Sequence, residues 1–316
     1  MVTRQLYQII QEVSQMKNYK NRILLISDMH YTTQENAAEL KELYPEAKAS
    51  VAAGNTLGHT QKEKIKHIMS DIKSFTEKED IDAILVLGDL SIDDYSYRNL
   101  PENYCKKFKE DCMDQLPFPY YVIPGNHDSY PNEIWKDIFG YDRQYSFTLK
   151  DAAFIMLDTF NDSPAYTASG SMYTGVDMDF LKKELEKYPT EQIFLCSHFF
   201  KVSQFPDELN ELLSTNSRIV CLFDGHTHKN RVFTELEKIP QPKINIGGYG
   251  YEGEKREDGK WYFDRYDDAW AWGYEVLEWD ENEAHVYHVK PARRYEGFNG
   301  VFEHPYTIEN ELTIKF

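Results

Sequence analysis

Short, nearly continuous apolar runs rich in β-branched residues recur along the first three quarters of the chain. They are "RILLISD" ending near Asp28, "IDAILVLGD" ending at Asp89, "PYYVIPGN" ending at Asn126, "AAFIMLDT" around Asp158, "EQIFLCSH" ending at His198 and "RIVCLFDGH" ending at His226. Such runs, without polar alternation, predict strands buried on both faces, as in parallel sheets. Between them the period changes. Residues 60–79 place Ile65, Ile68, Met69, Ile72 and Phe75 on one helical face, and residues 99–115 and 176–188 repeat the pattern less cleanly. Strand alternating with helix predicts an α/β fold with helices covering the sheet faces.

From about residue 243 the texture shifts to "KINIGGYGY" and then to a Trp- and Tyr-rich series with alternating polarity. Turn signals at residues 257–259 and 280–282 predict antiparallel hairpins, forming either a second sheet or an extension of the first. The aromatic series from Trp261 to Trp279 reads as core of that sheet, with base stacking as the alternative. No repeat or low-complexity linker interrupts the chain, so one domain over residues 1–316 is expected, with a motif-bearing core near 20–250 and a β-rich part from about 251. Residues 31–59 form a long irregular insertion after the first strand, the kind of segment that often rims a site.

Composition narrows the partners. The formal net charge is -18 with the acidic residues spread along the chain, which disfavours an extended grip on nucleic acid. The N-terminal stretch lacks an apolar signal region, and no run is long enough to span a bilayer, so a cytoplasmic protein without membrane attachment is expected. Cys105, Cys112, Cys196 and Cys221 form no C-x-x-C pair and read as reduced structural thiols.

The ends of the apolar runs carry the chemistry. The first ends in Asp28 and His30, the second in Asp89, the third in Asn126 and His127, and the later ones in His198 and in His226 with His228. In open α/β sheets, ligands bind beyond the carboxyl ends of the strands. Oxygen and imidazole donors without thiolates suit transition metals such as Mn, Fe or Zn. Seven side chains with one shared carboxylate suffice for two adjacent ions. Alternate residues at a strand end point the same way, so Asp28 with His30, and His226 with His228, can reach a common centre. A neutral Asn126 coordinates without cancelling the positive charge that would attract a phosphate. Asp128 reads as a carboxylate supporting the ligands, Asp158 either as a strand cap or as a group orienting a histidine, and His59 and His67 as ordinary structural residues.

These blocks, D-x-H, G-D, G-N-H-D, a lone H and G-H-x-H, resemble in order and spacing those of the calcineurin-like metallophosphoesterase superfamily, and they run from residue 28 to residue 228. The resemblance implies a four-layer α/β/β/α sandwich and a dinuclear centre of divalent or mixed-valence ions. It places Asp28, His30 and His228 on the first ion, Asp89 as the bridge, and Asn126, His198 and His226 on the second. His127 would protonate the leaving alkoxide, while a metal-bridging hydroxide attacks phosphorus in line.

Departures narrow the subfamily. Residues 88–94 lack the Arg of the protein Ser/Thr phosphatases, Ile92 replaces the Tyr ligand of the purple acid phosphatases, and Ser129-Tyr130 differs from the 5'-nucleotidase pattern. The sequence is similar to small phosphodiesterase-like members acting on small-molecule phosphoesters. A phosphomonoesterase and a catalytically silent metal-binding module are the alternatives.

Overall fold

The computed structural model describes residues 19–31, 69–70, 72–91, 103–160, 171–248, 254–255, 261–262, 273–291 and 306–316. Every apolar run named above forms a strand: β1 (Asn21–Ile26), β2 (Ala83–Leu87), β3 (Tyr120–Ile123), β5 (Ala152–Leu157), β6 (Gln192–Ser197) and β7 (Ile219–Asp224). A less apolar β4 (Tyr145–Leu149) precedes β5, and β8 (Asn230–Phe233) and β9 (Lys243–Ile246) follow β7. A two-residue pairing links β10 (Glu254–Lys255) to β11 (Trp261–Tyr262). The C-terminal strands are β12 (Tyr274–Trp279), β13 (Glu283–Pro291) and β14 (Tyr306–Lys315).

Two six-stranded mixed sheets result, in the orders β14-β13-β12-β1-β2-β3 and β4-β5-β6-β7-β9-β8. The β1, β2 and β3 strands run parallel, as do β5, β6, β7 and β9, so both sets deliver their carboxyl ends to the same side of their sheets. The C-terminal strands extend the first sheet. Leu277 of β12 pairs with Ile23 of β1, and the turn between β12 and β13 falls at the predicted residues 280–282.

Side-chain alternation within each strand builds the layers. Ile23 and Leu25 of β1 join Phe154, Phe194 and Trp279 in the core between the sheets. Leu24 and Ile26 face the opposite way, toward Ile72, Phe75 and Phe108. On the second sheet, Ile155 and Leu195 pack outward against Leu181 and Leu209. Helices therefore cover both outer faces: α1 (Tyr104–Asp111) and α2 (Asn132–Phe139) beside the first sheet, α3 (Met178–Lys187) and α4 (Asp207–Thr215) beside the second. This is the α/β/β/α sandwich.

Within residues 60–79 the helix is described at 69–70 and 72–76, and Ile72 and Phe75 are buried as the periodicity requires. The two helices without a sequence signal, α2 and α4, are short and follow Pro131 and Pro206, with no side chain capping either N-terminus. By contrast Asn103 and Asp177 cap α1 and α3 by accepting from Lys106 N and Phe180 N. The insertion at 32–59, His59, His67 and Trp270 and Trp272 lie outside the described residues. Of the remaining aromatic series, Tyr274 and Trp279 are buried in the cores, and all four cysteines are buried thiols outside any disulfide. Among the described residues no helix is long and apolar enough to cross a membrane.

Trp279 ties the C-terminal strands to the second sheet, meeting Phe154 and Phe194 edge to face with ring centres 5.8 and 6.2 Å apart and donating from Nε1 to Asp151 Oδ1 at 2.7 Å. Chemical denaturation of Trp279→Ala should show a loss of about 3–5 kcal/mol. A loss under about 1 kcal/mol would show that β12 does not share the central core.

Candidate metal centre

Asp28, His30, Asp89, Asn126, His127, His198, His226 and His228 all come together beyond the carboxyl ends of β1, β2, β3, β6 and β7. The means of approach differs from strand alternation. Asp28 and His30 lie past the end of β1, and Asp28, His30, Asp89, His226 and His228 all have positive φ, between 44° and 67°. A left-handed backbone is costly for residues with a Cβ, and here it turns each side chain sharply back over the strand tips. Backbone ladders hold these turns: Asp28 N donates to Gly88 O and His30 N to Asp89 O, each at 3.0 Å.

Glycine is required where these loops close on the site, at Gly125 and Gly88 among others. A Cβ at Gly125 would stand 2.1 Å from Asp89 Oδ1, and Gly88, at φ 84°, would place one 2.6 Å from His198 Nδ1. The loops after β2 and β3 thus pass within touching distance of the site carboxylate and imidazole.

The donor atoms fall into two groups. In the first, His30 Nε2 lies 3.1 Å from His228 Nε2, and Asp28 Oδ1 lies 3.2 Å from His228 Nε2 and 3.9 Å from His30 Nε2. In the second, Asn126 Oδ1 lies 3.1 Å from His198 Nε2 and 2.9 Å from His226 Nδ1, and the two imidazole nitrogens are 3.3 Å apart. Asp89 Oδ2 stands between the groups, 3.8 Å from His30 Nε2 and 3.2 Å from His198 Nε2. Donors bound at about 2.0–2.2 Å and roughly right angles around one ion are separated by about 3 Å, so both groups have the spacing of a coordination shell. Asp28 Oδ1 is buried and accepts no hydrogen bond, which leaves a lone pair directed into the first group. His198 Nδ1 meets Leu87 O at 2.7 Å, which fixes its proton there and turns the Nε2 lone pair toward the second group. The residues present fit two ions sharing one carboxylate.

His127 is half-buried; its ring lies 5.0 Å from that of His30 and its backbone N donates to Asp89 Oδ1 at 2.9 Å. Distance alone would equally group it with His30 and Asp89 around an ion.

Charge follows from the packing. Burial raises the Asp28 carboxyl, but the adjacent His228 outweighs it and brings the pKa down to about 2. Asp89 is likewise held well below the usual carboxylate range, its burial outweighed by His198 and His127. Burial lowers His198 too, yet Asp89 overcomes this and lifts the imidazole to about 9. His226, buried and facing a protonated His198, falls to about 4, and burial holds His30 well below its ordinary value. One proton in the second group therefore sits on His198.

The supporting residues complete the site. Asp128 does not orient an imidazole. Its carboxylate accepts from Leu90 N at 3.0 Å, Ser91 N at 3.1 Å and Gly125 N at 2.9 Å, clasping the loop after β2 to the loop after β3. Asp224 accepts from Phe200 N and pairs with the buried Lys243, each at 2.8 Å, beneath the loops that carry His198 and His226. Burial raises the Asp224 carboxyl to about 6 against the pull of Lys243. Sequence reasoning missed this pair, whose signal is a lone charge at the end of "CLFD" and another at the start of "KINI". It also missed Arg143, which pairs with Asp158 at 2.7 Å, an ion pair that is neither of the two roles expected for Asp158. A cleft of about 600 Å³ beside these two is lined by Arg143, Asp158, Phe160, Val176 and Phe180 among others, and by none of the eight residues named at the opening of this section.

The chain matches the calcineurin-like phosphoesterase family over residues 21–230, more than half of its 316 residues. It is 25% identical over 259 residues to the "Probable glycerophosphodiester phosphodiesterase GpdQ" of Arcobacter nitrofigilis, covering 73% of this chain and 82% of that protein. In fold it is similar to GAP50 of Plasmodium, described as the anchor in the inner membrane complex, at a TM-score of 0.52 and 16% identity over 93% of this chain and 90% of the other. A single mutant of Vps29 from Entamoeba histolytica aligns at a TM-score of 0.37 and 13% identity over 93% of this chain and 99% of the other. The chain belongs to the calcineurin-like phosphoesterase family and is a phosphoric ester hydrolase.

Proposed function

We propose that the chain hydrolyses small-molecule phosphodiesters at a dinuclear metal centre. The carrying observation is the pair of donor groups at coordination spacing with Asp89 between them. Asp28, His30 and His228 would hold one ion, Asn126, His198 and His226 the other, and Asp89 both, with Mn, Fe or Zn suited to this donor set. Such ions supply a water of lowered pKa and positive charge for the phosphoryl oxygens.

The chain's own residues do the rest. Only Asp28 and Asp89 among the seven ligand positions are anionic, and Asn126 adds an oxygen without charge, so the site stays attractive to a phosphoester anion. Three backbone N–H groups converge on Asp128 and offset part of its negative potential, while burial, followed by the nearby Asp89, pushes its carboxyl up from the usual range. Half-buried beside Asp89, His127 is placed to hold a proton and deliver it to the departing alkoxide oxygen. The diester class is supported by the Arcobacter relative, which is named as a probable glycerophosphodiester phosphodiesterase.

Chelator-treated protein should be inert toward bis-p-nitrophenyl phosphate and regain turnover with Mn²⁺. Asn126→Ala should lower that turnover more than about 100-fold while circular dichroism stays unchanged. A wild type inert with every transition metal tried would refute the assignment.

An ion needs the Nε2 lone pair of His198, which carries the extra proton up to about pH 9 in the metal-free chain. Uptake at pH 7.5 should therefore release protons, measurable as a buffer-dependent calorimetric heat, and affinity should rise with pH toward 9. The metal-free protein should behave oppositely. Its pKa is raised above the ordinary 6.5, so the His198–Asp89 pair stabilises fully below 6.5 and loses that contribution as pH passes 9. Metal affinity independent of pH between 6.5 and 9 would contradict this.

A further inference from the structure

Arg143 stands outside every sequence block yet is 4% exposed, and its guanidinium faces the site machinery on two sides. On one side Nη1 donates to Asp128 O at 2.9 Å and to Tyr130 O at 2.6 Å, pinning the turn directly after His127. On the other, Nε donates to Asp158 Oδ2 at 2.7 Å, while Asp158 Oδ1 accepts from Phe160 N at 3.1 Å. The ring of Phe160 then packs 5.6 Å from His198 and 5.7 Å from His226. The backbone N of Arg143 donates to Asn132 Oδ1 at 2.8 Å, and its guanidinium lies over Trp135 at 5.8 Å. A buried ion pair adds little stability over well-packed apolar residues, so such a residue is better explained by what it orients.

From this geometry we infer that Arg143 is a positioning residue for the proton-donating loop, holding His127 in register with the imidazole pair of the second ion. The inference rests on the phosphodiesterase reading above, which gives His127 the leaving-group proton. The mechanism is a chain of fixed contacts. Asp128 is held at its carbonyl by Arg143 and at its carboxylate by the amides of Leu90, Ser91 and Gly125, so the residues between Gly125 and Asp128, including His127, have both ends anchored. Loosening one anchor lets the His127 ring drift, and a displacement of about 1 Å in a catalytic group costs on the order of 100-fold. The loss should fall on the step that needs the proton. A p-nitrophenolate departs readily without protonation, whereas phenolate leans on the acid.

The test compares ethyl p-nitrophenyl phosphate with ethyl phenyl phosphate, which differ only in the leaving phenol. In Arg143→Met the kcat ratio of the first to the second should rise at least about tenfold over wild type, with KM for either ester shifted less than about threefold. Arg143→Lys, which keeps a donor, should recover part of that ratio. The double variant Arg143→Met/Asp158→Leu removes both charges of the pair and should fold well while keeping the raised ratio. Equal slowing of both esters in the variants, as loss of folded or metal-loaded enzyme would give, overturns the inference, and so does a wild-type ratio in the double variant. A wild type inert on both esters instead overturns the phosphodiesterase reading on which the inference stands.

Discussion

The structure turns on a requirement that lone pairs be brought within about 3 Å of one another without water between them. Nitrogens of His30 and His228 approach to 3.1 Å, and Asn126 Oδ1 approaches His226 Nδ1 to 2.9 Å, in a region where Asp28 and His198 are fully buried. In the metal-free chain each such pair holds together only where one ring nitrogen keeps its proton to donate, and an ion takes the place of that proton. The fold enforces the convergence by ending five strands of two parallel sets at one place and bending the chain there through positive φ. Rigid sheets, buried on both faces, supply the resistance that the bend requires.

Charge in the centre is arranged to match. The two carboxylates that face the donor groups are held ionised by neighbouring imidazoles, and the third, Asp128, is occupied by backbone amides of two loops. Beneath, Asp224 and Lys243 neutralise each other while fixing the backbone of Phe200. The surface carries a large negative excess, with 53 acidic against 35 basic residues, so attraction for a phosphoester must come from the centre itself.

Much of this was legible in the residues because burial leaves a one-dimensional trace. The apolar runs marked the buried strands, and the polar residues at their ends marked the site, since a polar residue directly after an apolar run is conspicuous. Residues whose contacts come from distant segments left a weaker trace. Arg143 reads in sequence as an ordinary loop arginine; only the fold brings it to Asp158 and to the carbonyls of Asp128 and Tyr130. The role of Asp128 was half visible: a supporting carboxylate was expected, but its partners are amides rather than an imidazole. The α2 and α4 helices were invisible because each follows a proline and lacks a capping side chain at its N-terminus, unlike α1 and α3. The reach of Asp28 and His30 was anticipated for another reason, strand alternation, whereas it comes from left-handed turns beyond the strand.

The central claim is that one carboxylate, Asp89, is shared by two ions. Anomalous diffraction from crystals grown with Mn²⁺ tests it most directly. The account predicts two peaks about 3.5–4 Å apart on either side of the Asp89 carboxylate. A single peak, or two peaks of which neither touches Asp89, would contradict it.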